Sequence, residues 1–164
     1  MVNLHIREMT ETDIPRVSEL LRDCFRWLGD REHLTARQLA FLVDDRSSEQ
    51  TVREESKSRP HLVACTETGI VGMAAVHGNE IARLYVDPRY HRQGVGKALF
   101  EACEAMIRRA GHEEMTVAAL VDGALAFYQT MGMSITGRVV YEPEIFLGRE
   151  VTLLAKKVAS APMP

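Results

Sequence analysis

Apolar positions along the chain change period from segment to segment, and the changes mark the elements. Leu4 and Ile6 alternate with polar neighbours, which predicts a strand over residues 2–9. Thr12 and Asp13, followed by Pro15, predict a helix start, because their side chains accept from free N–H groups and proline fits the first turn. Ile14, Val17, Leu21, Cys24 and Leu28 then recur at helical spacing, with Gly29 read as the stop. A second helix is expected from Thr35 and carries Leu39, Leu42 and Val43. The polar stretch from Asp44 to Arg59 reads as a helix plus loop.

The period then shortens. His61–Thr66 and Ile70–His77 read as a hairpin around Glu67-Thr68-Gly69. Gly78-Asn79 turns the chain again into a strand over Glu80–Val86, which Asp87-Pro88 ends. Gly94–Ala110 carries Val95, Ala98, Leu99, Ala102 and Met106 on one face and Lys97, Glu101, Glu104 and Arg108 on the other, with Gly111 as its cap. A strand over Glu114–Ala119, a short helix over Gly123–Met131 and strands near Ser134–Tyr141 and Glu150–Val158 complete the order β-α-α-β-β-β-α-β-α-β-β. Three successive hairpin-type strands predict an α/β (α+β) fold with a mixed, mostly antiparallel twisted sheet flanked by helices, not a doubly wound sheet. One domain over residues 1–158 is expected, with 159–164 as a flexible tail.

Composition changes this picture little. The 164 residues are 46% hydrophobic and 26% charged, with a formal charge of −3. That is ordinary for a soluble globular domain and disfavours a nucleic-acid partner. No apolar run approaches the ~18 residues of a membrane span, and no secretory leader is evident, so a cytoplasmic location is expected. The three cysteines, Cys24, Cys65 and Cys103, are widely spaced, which points to buried thiols and to no metal site or disulfide framework.

The chemistry concentrates between Leu84 and Leu99. A strand runs into the polar turn His91-Arg92-Gln93, which opens a long helix at Gly94-Val95-Gly96-Lys97. The first N–H groups of that helix have no internal partner, and the helix dipole adds partial positive charge. Glycine lets the backbone approach a ligand closely, so the turn is suited to a phosphate or pyrophosphate. The stretch lacks the third glycine of a dinucleotide fingerprint and the Gly-Lys-Ser/Thr of a P-loop.

The segment resembles the acetyl-CoA-binding motif of the GNAT superfamily of acyl-CoA-dependent N-acetyltransferases. Gly94 and Gly96 stand at its glycine positions, after a strand ending Leu84-Tyr85-Val86-Asp87-Pro88, and His91 stands where the family has Gln or Arg. Ala124-Leu125-Ala126-Phe127-Tyr128 through Gly132-Met133 is similar to the family's Ala-x-x-Phe-Tyr-x-x-x-Gly-Phe segment, with Asp122 where the family has Asn. The resemblance covers nearly the whole chain.

It implies that acetyl-CoA lies where two central strands splay apart. Leu84, Tyr85 and Val86 would meet the pantetheine arm, His91, Arg92, Gln93, Gly94, Val95, Gly96 and Lys97 the pyrophosphate, and Phe127 and Asp122 the cofactor's inner end. Tyr128 matches the family's acid beside the sulfur. Glu80 is the base candidate, as in histone-acetylating members, with His77 as an assistant. The oxyanion would meet a backbone N–H at Tyr85 or Val86. The acceptor is expected to be a small-molecule or peptide amine, in a pocket walled by Phe25, Trp27, Tyr141 and Phe146, with Glu142 or Glu144 attracting its ammonium. The alternative is an acyl-CoA-binding domain without turnover, a sensor or scaffold. The apolar C-terminal strand, Val151–Ala155, is expected to pair with a second chain in a homodimer.

Overall fold

A computed structural model describes residues 3–141, 144–146 and 148–158. The expected tail at 159–164, Glu142 and the side chain of Glu144 lie outside the described residues. Seven strands form one sheet: β1 (His5–Glu8), β2 (His61–Thr66), β3 (Gly69–His77), β4 (Glu80–Val86), β5 (Glu114–Ala119), β6 (Ser134–Val140) and β7 (Glu150–Lys157). Their spatial order is β1-β2-β3-β4-β5-β7-β6, and every neighbouring pair is antiparallel except β4 with β5. This is the mixed sheet that the run of hairpins requires.

Helices cover both faces. α1 (Ile14–Glu32), α2 (Ala36–Ala40) and α3 (Glu49–Ser56) precede the hairpins, and a π-helical segment, Phe41–Arg46, joins the last two. On this side Ile14, Val17, Leu20, Leu21, Cys24 and Phe25 of α1 pack with Val63, Ile70 and Met73 of the sheet. On the other side α4 (Val95–Arg109) buries Val95, Leu99, Phe100, Cys103 and Ile107. α5 (Asp122–Thr130) adds Tyr128 to that layer.

Three sequence expectations need correction. Gly29 does not stop the first helix. α1 continues to Glu32 and ends at His33, whose φ is +53°. Gly29 instead makes room for Leu39, whose Cδ1 would stand 3.0 Å from an added Cβ. The buried stripe of α4 is shifted from the expected one: Phe100, Cys103 and Ile107 are fully covered, while Ala102 and Met106 lie at its border. The C-terminal strand β7 lies between β5 and β6 and is bonded on both sides. It has no edge to give a second chain. The sheet ends instead at β6, where Ile135, Val139 and Val140 are exposed.

The sheet opens at the junction of β4 and β5. The two strands pair only at Glu80 and Thr116, supported by the Thr116 N–H donating to Asn79 O at 3.0 Å. The β3–β4 ladder also slips there: Val76 faces Ile81 and Ala75 faces Arg83, so Ala82 is the extra residue of a bulge. A bulge bends its strand. From Ile81 onward the β5-facing edge of β4 carries no ladder bonds to β5.

Candidate active site

The gap between the two strands is a cavity of about 850 Å³. Ile81–Val86 form one wall, and Val117, Ala118, Leu120 and Val121 face them. Gly94, Gly96 and Lys97 bound it on the α4 side, with Phe127 and Tyr128 from α5. On the α1 side it reaches Cys24, Phe25, Trp27, Leu28, Arg31 and Glu32. The cavity thus joins the two faces of the sheet through the splay.

The turn at the α4 end is built by a network that joins Asp87 to its near neighbour Arg89 and to the distant Arg16. The buried Asp87 carboxylate accepts from the Arg89 N–H (3.0 Å), from Arg89 Nη2 (2.8 Å) and from Arg16 Nη2 of α1 (3.2 Å). The Arg89 guanidinium, then its backbone N–H and Arg16, hold that carboxyl below the usual range. Arg92 and Gly94 both adopt left-handed φ, +62° and +84°. For Arg92 this conformation costs about 1–2 kcal/mol and persists because the turn dictates it. Gly94 is the N-cap of α4, and an added Cβ there would meet open space. Free N–H groups at a helix start, an open approach at Gly94, and Arg92 and Lys97 beside it fit a pyrophosphate.

His91 lines the cavity beside Arg92 and is also tied to the fold. Its Nε2–H donates to Val86 O at 3.2 Å, and its ring meets the edge of Trp27 at 4.7 Å between centroids. The thiol of Cys24 also donates to Val86 O, at 3.3 Å. The Val86 carbonyl is therefore already engaged by the protein. His91 and Cys24 join the end of β4 to α1, and burial pushes the Cys24 thiol up to about 12.

Gly96 has a second reason to be glycine. A Cβ there would stand 3.3 Å from both Cε1 and Cζ of Phe127. Tyr128 is 6% exposed and lines the cavity, and its hydroxyl donates to no described residue. Burial raises its phenol above the ordinary value, so it remains a proton donor throughout the neutral range.

The structure does not bring every expected residue to the cavity. Glu80 sits at the vertex of the splay, half-buried, and the cavity wall begins one residue later at Ile81. His77 is exposed beside the Gly78-Asn79 turn, where it pairs with Glu80 across the β3–β4 ladder and does not line the cavity. Asp122 is exposed in the first turn of α5, while its neighbours Val121 and Gly123 line the cavity. Gln93 is exposed and reaches back to Arg89 O at 3.4 Å. Of the expected acceptor aromatics, Phe25 and Trp27 line the cavity. Tyr141 and Phe146 pack on one another at 5.0 Å, and Phe146 meets Phe41 at 6.2 Å, within the α1-side core rather than on the cavity wall. Arg31, Glu32 and Arg149, all on the wall, were not among the expected residues. Arg31 and Glu32 lie one turn beyond Trp27 and Leu28, a signal hidden by reading Gly29 as the helix end.

The chain shares its overall fold with solved acetyltransferase structures. The chain is similar to a GCN5-related N-acetyltransferase from Rhodopseudomonas palustris, with a TM-score of 0.84 and 21% identity over 96% of this chain and 98% of that one. It is also similar to the PaiA N-acetyltransferase of Thermoplasma acidophilum solved with coenzyme A (TM-score 0.73, 19% identity, 94% and 99% covered). The ribosomal-protein-S18-alanine N-acetyltransferase of Escherichia coli matches with a TM-score of 0.72 at 19% identity, over 98% of this chain and 97% of that one. The sequence model of the acetyltransferase (GNAT) domain matches residues 31–146. The chain belongs to the GNAT acetyltransferase family.

Proposed function

We propose that this protein transfers an acetyl group from acetyl-CoA to a primary amine by direct attack. The observation that carries the reading is the through-sheet cavity, with the α4 anion cradle at one end and Tyr128 inside it. Gly94, Gly96, Arg92 and Lys97 would hold the pyrophosphate, and the β5-facing edge of β4 from Leu84 to Val86 would face the pantetheine arm. Proteins of similar fold solved with coenzyme A or acetyl-CoA support the choice of cofactor. When bound, acetyl-CoA supplies an acetyl carbon activated by a thioester.

The protein's own groups then manage two protons. Tyr128 donates one to the sulfur as the carbon–sulfur bond breaks. Glu80 takes the proton lost by the amine. Because the cavity wall begins at Ile81, a water must carry that proton to the vertex. The backbone N–H of Val86, on the β5-facing edge, meets the developing oxyanion in a site shielded by the flanking strands, whereas that of Tyr85 points into the β3 ladder.

An acetyl-CoA-dependent thiol-release screen across amine classes tests the reading, beside calorimetric binding of coenzyme A. Thiol release with one class of amine supports transfer. Binding without release from any amine would leave a domain that holds acyl-CoA as a sensor or scaffold. Failure to bind coenzyme A would remove the cradle assignment altogether.

A further inference from the structure

We propose that the acceptor is a small amino acid-like amine whose carboxylate is held by Arg31 and Arg149. The proposal rests on the acetyl-transfer reading and names its substrate class. Among the described residues that line the cavity, five cations face one carboxylate, Glu32. Arg92 and Lys97 stand at the cradle. Arg83 is matched by Glu55, whose Oε2 lies 3.2 Å from its Nε. Arg31 and Arg149 remain at the α1 end, against Glu32 alone.

Neither guanidinium is saturated. Arg149 reaches Glu32 Oε2 at 3.6 Å and Leu120 O at 3.4 Å, both through Nη2. Its Nε and Nη1 have no partner among the described residues. Arg31 lies 4.1 Å over the Trp27 ring, and its donors likewise meet no described acceptor. The half-buried Arg149 and the exposed Arg31, both on the cavity wall, present guanidinium forks that suit a carboxylate, which accepts two parallel N–H bonds. They would repel a polyamine or an aminoglycoside, because a single carboxylate does not offset them. Glu32 sits beside the forks, so one end of the cavity offers both signs, as an ammonium and a carboxylate on neighbouring carbons require. Leu28, Leu34 and Leu42 supply apolar wall for a side chain. The transfer balances: the ammonium first gives one proton to solvent, the amine nitrogen then bonds the acetyl carbon as the carbon–sulfur bond breaks, and the second proton lost by nitrogen offsets the one gained by sulfur.

The test compares each of the common amino acids with its carboxamide and its decarboxylated amine, in thiol release and in calorimetric binding to the protein–coenzyme A complex. The acids should win by at least tenfold for one or more side chains. Arg149→Gln and Arg31→Gln should each raise the KM of the preferred acid roughly 10- to 100-fold, as the loss of a hydrogen bond to a charged group does. The KM for acetyl-CoA and the thermal unfolding should stay near wild type, and Arg149→Lys should recover part of the loss. Turnover of carboxamides or decarboxylated amines as fast as the acids would overturn the carboxylate site and leave acetyl transfer standing. Acids that bind in preference to their amides without any thiol release would sink the transfer reading and keep the site.

Discussion

Gly96 lies beneath the ring of Phe127, and a single methyl group on it would stand 3.3 Å from two ring carbons. The helix that carries the phosphate cradle and the helix that carries Tyr128 therefore meet through a contact only a hydrogen permits. Gly96→Ala must push the Phe127 ring by a few tenths of an ångström toward the cavity that it lines. Weaker coenzyme A binding with a small loss of stability is expected, read by calorimetry and denaturant melts.

Gly94 differs from Gly96, because an added Cβ meets nothing there but the φ of +84° penalises any L side chain. Gly94→Ala should cost about 1 kcal/mol of stability. Gly94→Trp should add a steric block where the pyrophosphate approaches the helix start and abolish coenzyme A binding. Unchanged affinity for the tryptophan variant would sink the cradle assignment.

Tyr128→Phe removes one oxygen that makes no hydrogen bond to described residues. Packing and cofactor affinity should hold. The kcat should fall by roughly 10²-fold, the lower end for a positioned acid, because a thiolate is already a fair leaving group. Burial raises the phenol above its ordinary value of 10, so no loss of activity from its ionisation is expected below that pH. Wild-type kcat in the variant, with chemistry shown to limit turnover, would give the proton to another group.

Glu80→Gln should lower kcat with a deficit that shrinks as pH rises, since more of the amine then arrives deprotonated. A deficit constant across the pH–rate profile would argue that the vertex carboxylate only supports the Glu80–Thr116 junction.

Asp87 ties the end of β4 to α1 through Arg16 while holding Arg89. Asp87→Asn keeps the shape but weakens charge-assisted bonds, and should cost about 1–3 kcal/mol at neutral pH. The carboxyl is held below its ordinary value of 3.8. Its contribution is therefore complete above that pH and is lost as pH falls through the depressed value. The stability gap between variant and wild type should narrow below about pH 4 in urea melts.

A homodimer built in the plane of the sheet at its C-terminal end would use β6, since β7 is enclosed. Val139→Lys and Val140→Lys should then return the protein to monomer mass in light scattering at micromolar concentration. An unchanged dimer would place the interface elsewhere.

Sequence alone determined the parts governed by short-range physics. The alternation in residues 61–86 marked three hairpin-linked strands. Thr35 marked the start of a second helix, and in the structure its side chain accepts from the Gln38 N–H. Gly94, followed by an amphipathic run, marked the start of the long helix, and Phe127-Tyr128 stood out through its surrounding motif. Tertiary structure decided what depends on distant partners. Gly29 reads as a helix stop until Leu39 packs against it. The apolar Val151–Ala155 reads as an open edge until the strand inserts between β5 and β6. The exclusion of Glu80 from the cavity wall depends on the bulge at Ala82, which arises from the register between two strands. Arg31, Glu32 and Arg149 have no shared pattern in the chain. They converge only because α1 runs past Gly29 to meet the segment preceding β7, and convergence across more than a hundred residues leaves no periodic trace.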